Sequence, residues 1–123
     1  MATITAKISL TGDGITSDAL SIIQTSVLTV GNPAIESGTL KVTDTAAALL
    51  PATAARVYLY VKNTGTVNVS ANVNIQTAAA VNVAELKAGE WLFFPVEESL
   101  ALNVDSATAS GVTTVEYSYF AAG

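Results

Sequence analysis

The chain has 123 residues, half of them hydrophobic and 12% charged, with a formal net charge of −5 and neither cysteine nor histidine. These totals exclude disulfides, thiolate zinc sites and the two side chains that most often carry acid–base or nucleophilic work near neutral pH. They also exclude a phosphate-binding surface: Lys7, Lys41, Arg56, Lys62 and Lys87 are scattered along an acidic chain, whereas nucleic-acid binding depends on clustered cations.

The length suits one domain over 1–123, large enough to bury a core without staples. So few charges leave much of the surface better suited to protein than to water, which points to assembly. No membrane span is expected, because the most apolar stretch, "AAALLPATAA", is short and broken by Pro51. "MATITAKISL" alternates where a secretory leader would be continuously apolar, so the reading is a soluble protein made in the cytoplasm.

The first element, "TITAKISL", places Ile4, Ala6, Ile8 and Leu10 on one face of a strand, and "TGDG" at 11–14 supplies turn chemistry. "LSIIQTSVLTV", 20–30, is a second β-rich run ending before Pro33, which cannot donate to a ladder. These first thirty residues are either edge strands folded back on the domain or an extended arm. A short strand follows around Leu40–Thr43, and Ala46–Leu50 is the one place where a helical turn is expected.

"RVYLYVK" alternates Val57, Leu59 and Val61 against Tyr58, Tyr60 and Lys62. "NTG" at 63–65 reads as a hairpin connection with Gly65 in the left-handed region. The next strand then places Val67, Val69, Val73 and Ile75 inward, opposite an outer ladder of small polar residues, Asn68 to Gln76. "KAGE" is a second tight turn. "WLFFPV" is a continuous apolar run, suited to a strand covered on both faces. "LALNV" and "VTTVEYSYF" complete a set of about eight or nine short strands at intervals of about 8–12 residues, the pattern of an all-β antiparallel sandwich of jelly-roll character. No internal repeat is visible.

The sequence assembles no catalytic, metal or cofactor site. Glu97 and Glu98 are adjacent carboxylates that a strand would point to opposite faces. Asp13 and Asp18 in "GDGITSD" fail the spacing of a calcium loop and read as turn residues. Asn68-Val69-Ser70 matches a glycosylation sequon, an accidental match in a protein without a secretory leader. The residues that carry binding potential are aromatic: Tyr58, Tyr60, Trp91, Phe93 and Phe94 are the candidate interface. Outward aromatics can anchor a protein contact or stack on a sugar ring, whereas Trp91 inside an apolar run reads first as core. The Asn and Ser ladder suits a protein contact, since uncharged polar groups avoid the desolvation cost of buried ions.

"YLYVKNTGTVNV", "LKAGEWLFFPV" and the terminal "VEYSYF" resemble small virion structural proteins of tailed bacteriophages. In that group a strand ending in "VKNTG" precedes an "AGEW" or "PGEF" turn, an aromatic-Pro segment and a final "VEY-aromatic" strand. The resemblance implies a non-enzymatic capsid decoration (cement) protein, located on the virion, with the major capsid protein or other virion proteins as partners. A homo-oligomer is expected from the low charge, with a trimer preferred by analogy with capsid shells, and charge and hydropathy give no nucleic-acid or membrane partner. The alternatives are a tail, neck or fibre component and a carbohydrate-binding module using Trp91, Tyr58 and Tyr60.

Overall fold

The computed structural model describes residues 2–12, 20–31, 36–53 and 55–122. They form ten strands, with no helix among the described residues: β1 (Ala2–Gly12), β2 (Leu20–Val30), β3 (Glu36–Val42), β4 (Ala47–Leu50), β5 (Val57–Asn63), β6 (Val73–Thr77), β7 (Asn82–Leu86), β8 (Trp91–Val96), β9 (Leu102–Ser106) and β10 (Thr113–Ala121). Asp13 and Gly14 of the expected turn "TGDG", Asp18, and Asn32 and Pro33 of "GNP" lie outside the described residues.

Eight strands build two four-stranded antiparallel sheets, ordered β3-β10-β5-β8 and β4-β9-β6-β7. From β3 to β10 the chain changes sheet at every step except β6 to β7, which pair as neighbours. This is jelly-roll connectivity, and the protein is an all-β sandwich of that type. Period-two alternation makes it possible: β5 buries every second residue from Val57 to Asn63, and β9 does the same from Leu102 to Ser106. The inner faces meet in one core in which Leu59, Val61, Ile75 and Val104 have no exposure. Each such side chain contributes about 1.5–3 kcal/mol relative to an exposed one.

Several local expectations are corrected. Ala46–Leu50 forms no helical turn; Ala47–Leu50 is the edge strand β4, paired with β9. A register shift between Ala48 and Leu50 lets the consecutive Leu49 and Leu50 both turn inward. Burial of two leucines outweighs the helix preference of the alanines.

No hairpin spans 63–65, because β5 pairs with β8 and β10 whereas β6 pairs with β7 and β9 in the other sheet. The connection is a compact turn in which Ser70 donates its amide to the Thr66 carbonyl at 2.8 Å, and Thr66 donates its own amide to Ser70 Oγ at 2.8 Å. Val67 and Val69 sit on this turn at 63% and 80% exposure, and only Val73 and Ile75 of the expected strand reach the core. The polar ladder is broken in the same way. Asn74 points outward, where its amide donates to Asp105, while Gln76 is buried beyond a register shift in β6.

Gly65 is not in the left-handed region; in this connection Asn68 takes that conformation, and among the glycines Gly89 of the "KAGE" turn does. A side chain at Gly65 would instead collide with Ser70 and Thr113. Glu97 and Glu98 lie exposed in the turn after β8 rather than on a strand.

Candidate functional site: an aromatic face under an N-terminal arm

Strands β1 and β2 pair along their whole length, from Ala2↔Val30 to Gly12↔Leu20, as a separate two-stranded sheet. This hairpin is rooted at the end of β10: Val30 bridges Ala122, and the Gly31 amide donates to the Ala121 carbonyl at 2.9 Å. Residues 2–12 and 20–30 are therefore not edge strands of either sandwich sheet but a two-stranded arm joined to the end of β10.

The arm lies on the outer face of the first sheet. Alternation on β5 that sends Val57, Leu59 and Val61 inward sends Tyr58 and Tyr60 outward. On β8, Leu92, Phe94 and Val96 pack into the core, so Trp91, Phe93 and Pro95 face out. Pro95 is tolerated because β8 is an edge strand. On β10 the outward position nearest the arm's root is Phe120. Although it points away from the core, Phe120 is only 6% exposed; its cover is the arm.

Tyr58, Phe93 and Phe120 form a cluster with ring centroids 5.6–6.4 Å apart, and the Arg56 guanidinium sits 5.5 Å from the Tyr58 ring centre. Such spacings suit offset and tilted aromatic contacts. Two grooves run along the seam. One, of about 250 Å³, is lined by Ile4, Ala6 and Ile8 of the arm with Tyr60, Trp91, Phe93 and Phe120. The other, of about 240 Å³, lies between Ser26 and Leu28 of the arm and Tyr58, Phe93 and Pro95.

The Tyr60 hydroxyl donates to Glu116 Oε1 at 3.3 Å. Desolvation, followed by the Glu116 charge and this hydrogen bond, pushes the Tyr60 phenol above its ordinary value of 10.0. Near neutral pH it is an uncharged donor on the rim of the apolar seam.

Of the five aromatics singled out from the sequence, Tyr58, Tyr60, Trp91 and Phe93 share this face. Phe94 is corrected: it packs against the core on the other side of β8. Trp91 is corrected in the opposite sense. It does not fill the core but stands at the face's edge, 52% exposed. Phe120 was missed, although counting alternate residues from the inward Val115 puts it on the outer face. The face is no open platform for a sugar ring, since the arm covers Phe120 and borders Tyr58 and Phe93. Among the described residues, no three Asp or Glu side chains gather closely enough to hold a metal ion.

Fold and site together define a jelly-roll sandwich whose aromatic outer face is partly covered by its own N-terminal hairpin. No family model matches the chain, and no curated protein does. Among solved structures the chain is similar to a Salmonella typhimurium protein named for ethanolamine utilization, with 10% identity, a TM-score of 0.43 and full coverage of both chains. The capsid decoration role that the resemblance implied, together with its tail and fibre alternatives, is corrected: no family or curated match points to a virion component, and the role is withdrawn.

Proposed function

We infer that the chain is a non-enzymatic structural module that works by protein–protein contact and self-associates. The observation that carries this reading is the apolar surface left over around the arm. Leu10 and Ile22 are cross-strand partners on the arm, 50% and 41% exposed, and Trp91 of the sandwich is half-exposed as well. A monomer gains nothing by displaying large apolar side chains so close together, and contiguous patches of this kind mark contact sites. The 12% charged content supports the same reading, because a chain that stays monomeric needs a more charged exterior. The absence of histidine and cysteine from the sequence leaves little to build acid–base or nucleophilic chemistry on.

The test is light scattering coupled to size-exclusion chromatography over a wide concentration range. A mass that is a multiple of the 12.5 kDa chain is expected. A strictly monomeric protein at the highest concentration would remove the reading.

A further inference from the structure

We propose that the outer half of the β1–β2 arm docks on the aromatic face of a second copy of this chain, over Trp91 and Tyr60 at the β8 edge. The inference rests on the self-association just argued and names the surface that carries it.

The first step is a mismatch of lengths. An eleven-residue strand extends about 37 Å at the rise of an antiparallel strand. The seat beneath it spans the neighbouring strands β10, β5 and β8, which cover about 10 Å between their outer axes. Ile8 is the last residue of β1 that lines either groove against the sandwich. Beyond it, the chain from Ile8 to Gly12 continues for about 14 Å.

The second step is the character of what extends. Residues of β1 and β2 that share the seated face are Ile4, Ala6, Ile8 and Leu10, paired with Leu28, Ser26, Gln24 and Ile22. None is charged. Towards the root, Ile4, Ala6 and Leu28 are half-buried against the sandwich; Ile8, at the last contact, is 38% exposed, and beyond it Leu10 and Ile22 are 50% and 41% exposed. One uncharged face, apolar except for Ser26 and Gln24 at its middle, is therefore covered over one half and bare over the other.

The third step identifies the occupant. The arm's own seat shows the surface this face fits: aromatic, made by Phe120, Tyr60, Phe93 and Trp91, with the Arg56 guanidinium and the Glu116 carboxylate at its margins. A second copy carries the same surface, and its uncovered part is the Trp91 edge. A two-fold that brings two β8 edges together offers each bare arm half the other copy's Trp91 edge, an isologous contact that buries both remainders at once. Contact between the edges themselves is limited by Pro95, which cannot donate to a ladder.

The natural sequence has no cysteine, so introduced ones report cleanly. Two single variants, Leu10→Cys and Trp91→Cys, are mixed with an affinity tag on one of them and oxidised gently. A disulfide joining the tagged to the untagged chain is expected. In parallel, the double variant Leu10→Asp with Ile22→Asp should weaken association by about thirtyfold or more, as loss of a contact's central anchors does. Its melting temperature should stay near that of the parent, since both positions lie off the sandwich. Bonds only between two Leu10→Cys chains would mean that arms pair with one another, and would overturn the proposal. So would a double variant that associates as tightly as the parent; self-association would then stand and its surface would lie elsewhere. A parent protein that is monomeric throughout removes both readings.

Discussion

Asn63 accepts a hydrogen bond from the Thr113 hydroxyl at 2.8 Å in the interior of the sandwich, through the same Oδ1 that takes the Gly65 amide at 3.0 Å. Its Nδ2 donates to the carbonyls of Ala71 and Leu86 at 3.1 and 3.0 Å. One fully buried amide thus uses both donors and both lone pairs. It ties the end of β5 to β10 in its own sheet, to β7 in the other, and to the turn that links them.

Replacement of Asn63 by Ala should therefore act on the whole end of the sandwich. It strands four polar groups, the Leu86 carbonyl and Thr113 hydroxyl buried and the Gly65 amide and Ala71 carbonyl partly so, at about 1–3 kcal/mol for each that finds no water. A loss of about 3 kcal/mol or more in denaturant unfolding is expected. Asn63→Asp should be no rescue near neutral pH, because a carboxylate would face the carbonyls of Ala71 and Leu86. An Asn63→Ala protein as stable as the parent would show that the network is ornamental.

The turn held by that network reverses the stability expected of two valines. Val69 is 80% exposed and Val73 fully buried. Val69→Asp should change unfolding free energy by no more than about 0.5 kcal/mol, as surface substitutions do. Val73→Asp buries an unpaired carboxylate and should cost about 3 kcal/mol or more, or prevent folding. Comparison of the two melting curves checks the register directly; equal losses would contradict it.

Strand positions were legible in the sequence wherever one face is buried, because alternation in "RVYLYVK" or "VTTVEYSYF" has one physical cause. Partners were not legible. Period two reports that a strand has an inner face but not which sheet it joins, and β5 and β6 alternate equally well while lying in opposite sheets. Val67 and Val69 continue the alternation past the strand's end, so pattern alone cannot show that the Asn63 amide stops it. The aromatic face was half legible. Tyr58 and Tyr60 follow from alternation, whereas the six apolar or proline residues of "WLFFPV" carry no alternation to say that Phe93 faces out and Phe94 in. The arm explains why an apolar residue is accommodated at Phe93: the outer face of β8 is covered there, by residues far earlier in the chain, while Trp91 and Pro95 on the same face stay exposed.

Gly65 should not accept a side chain, although its backbone is ordinary for one. Gly65→Ala brings a Cβ onto Ser70 and Thr113, packed parts of the structure rather than the far end of a long side chain. Overpacking of this kind costs about 1–3 kcal/mol. Gly89→Ala meets open space and is opposed only by its φ of +87°. It should therefore cost less, about 1 kcal/mol. Thermal melts of the two variants separate crowding from backbone strain; a larger loss at Gly89 would overturn the distinction.

The Tyr60–Glu116 pair makes a prediction in pH. Folding raises the Tyr60 phenol above its ordinary value of 10.0, chiefly by desolvation and then by Glu116. The folded protein therefore holds this proton more tightly than the unfolded chain. The resulting stabilisation is fully present below the unfolded value and is lost as pH rises through the folded one. Glu116→Gln removes the neighbouring charge but leaves an acceptor for the hydroxyl, so Tyr60 should titrate earlier. Titration of tyrosinate absorbance in parent and variant, with Tyr60→Phe to assign the signal, gives the expected downward move. An unchanged Tyr60 titration in Glu116→Gln would show that the carboxylate contributes nothing at that site.

Phe120 offers the sharpest test of the arm's seat, because it is buried by residues that are not part of the sandwich. Phe120→Ala removes the ring nearest the arm's root and its contacts with Tyr58 and Phe93 at 5.6 and 6.4 Å. The core lies on the other side of β10 and keeps Val115 and Tyr117. Hydrogen exchange should accelerate selectively: β1 and β2 lose protection because a two-stranded sheet is marginal once its packed face is bared. Strands β5, β9 and β10 should exchange close to the parent rate, apart from the last residues of β10 that bridge to Val30. Phe94→Ala, on the inner face of β8, should give the opposite pattern, with the sandwich loosened throughout. If both variants lower protection in the same strands by the same factor, the arm is not a separately seated element and the layer assignment of the two phenylalanines fails.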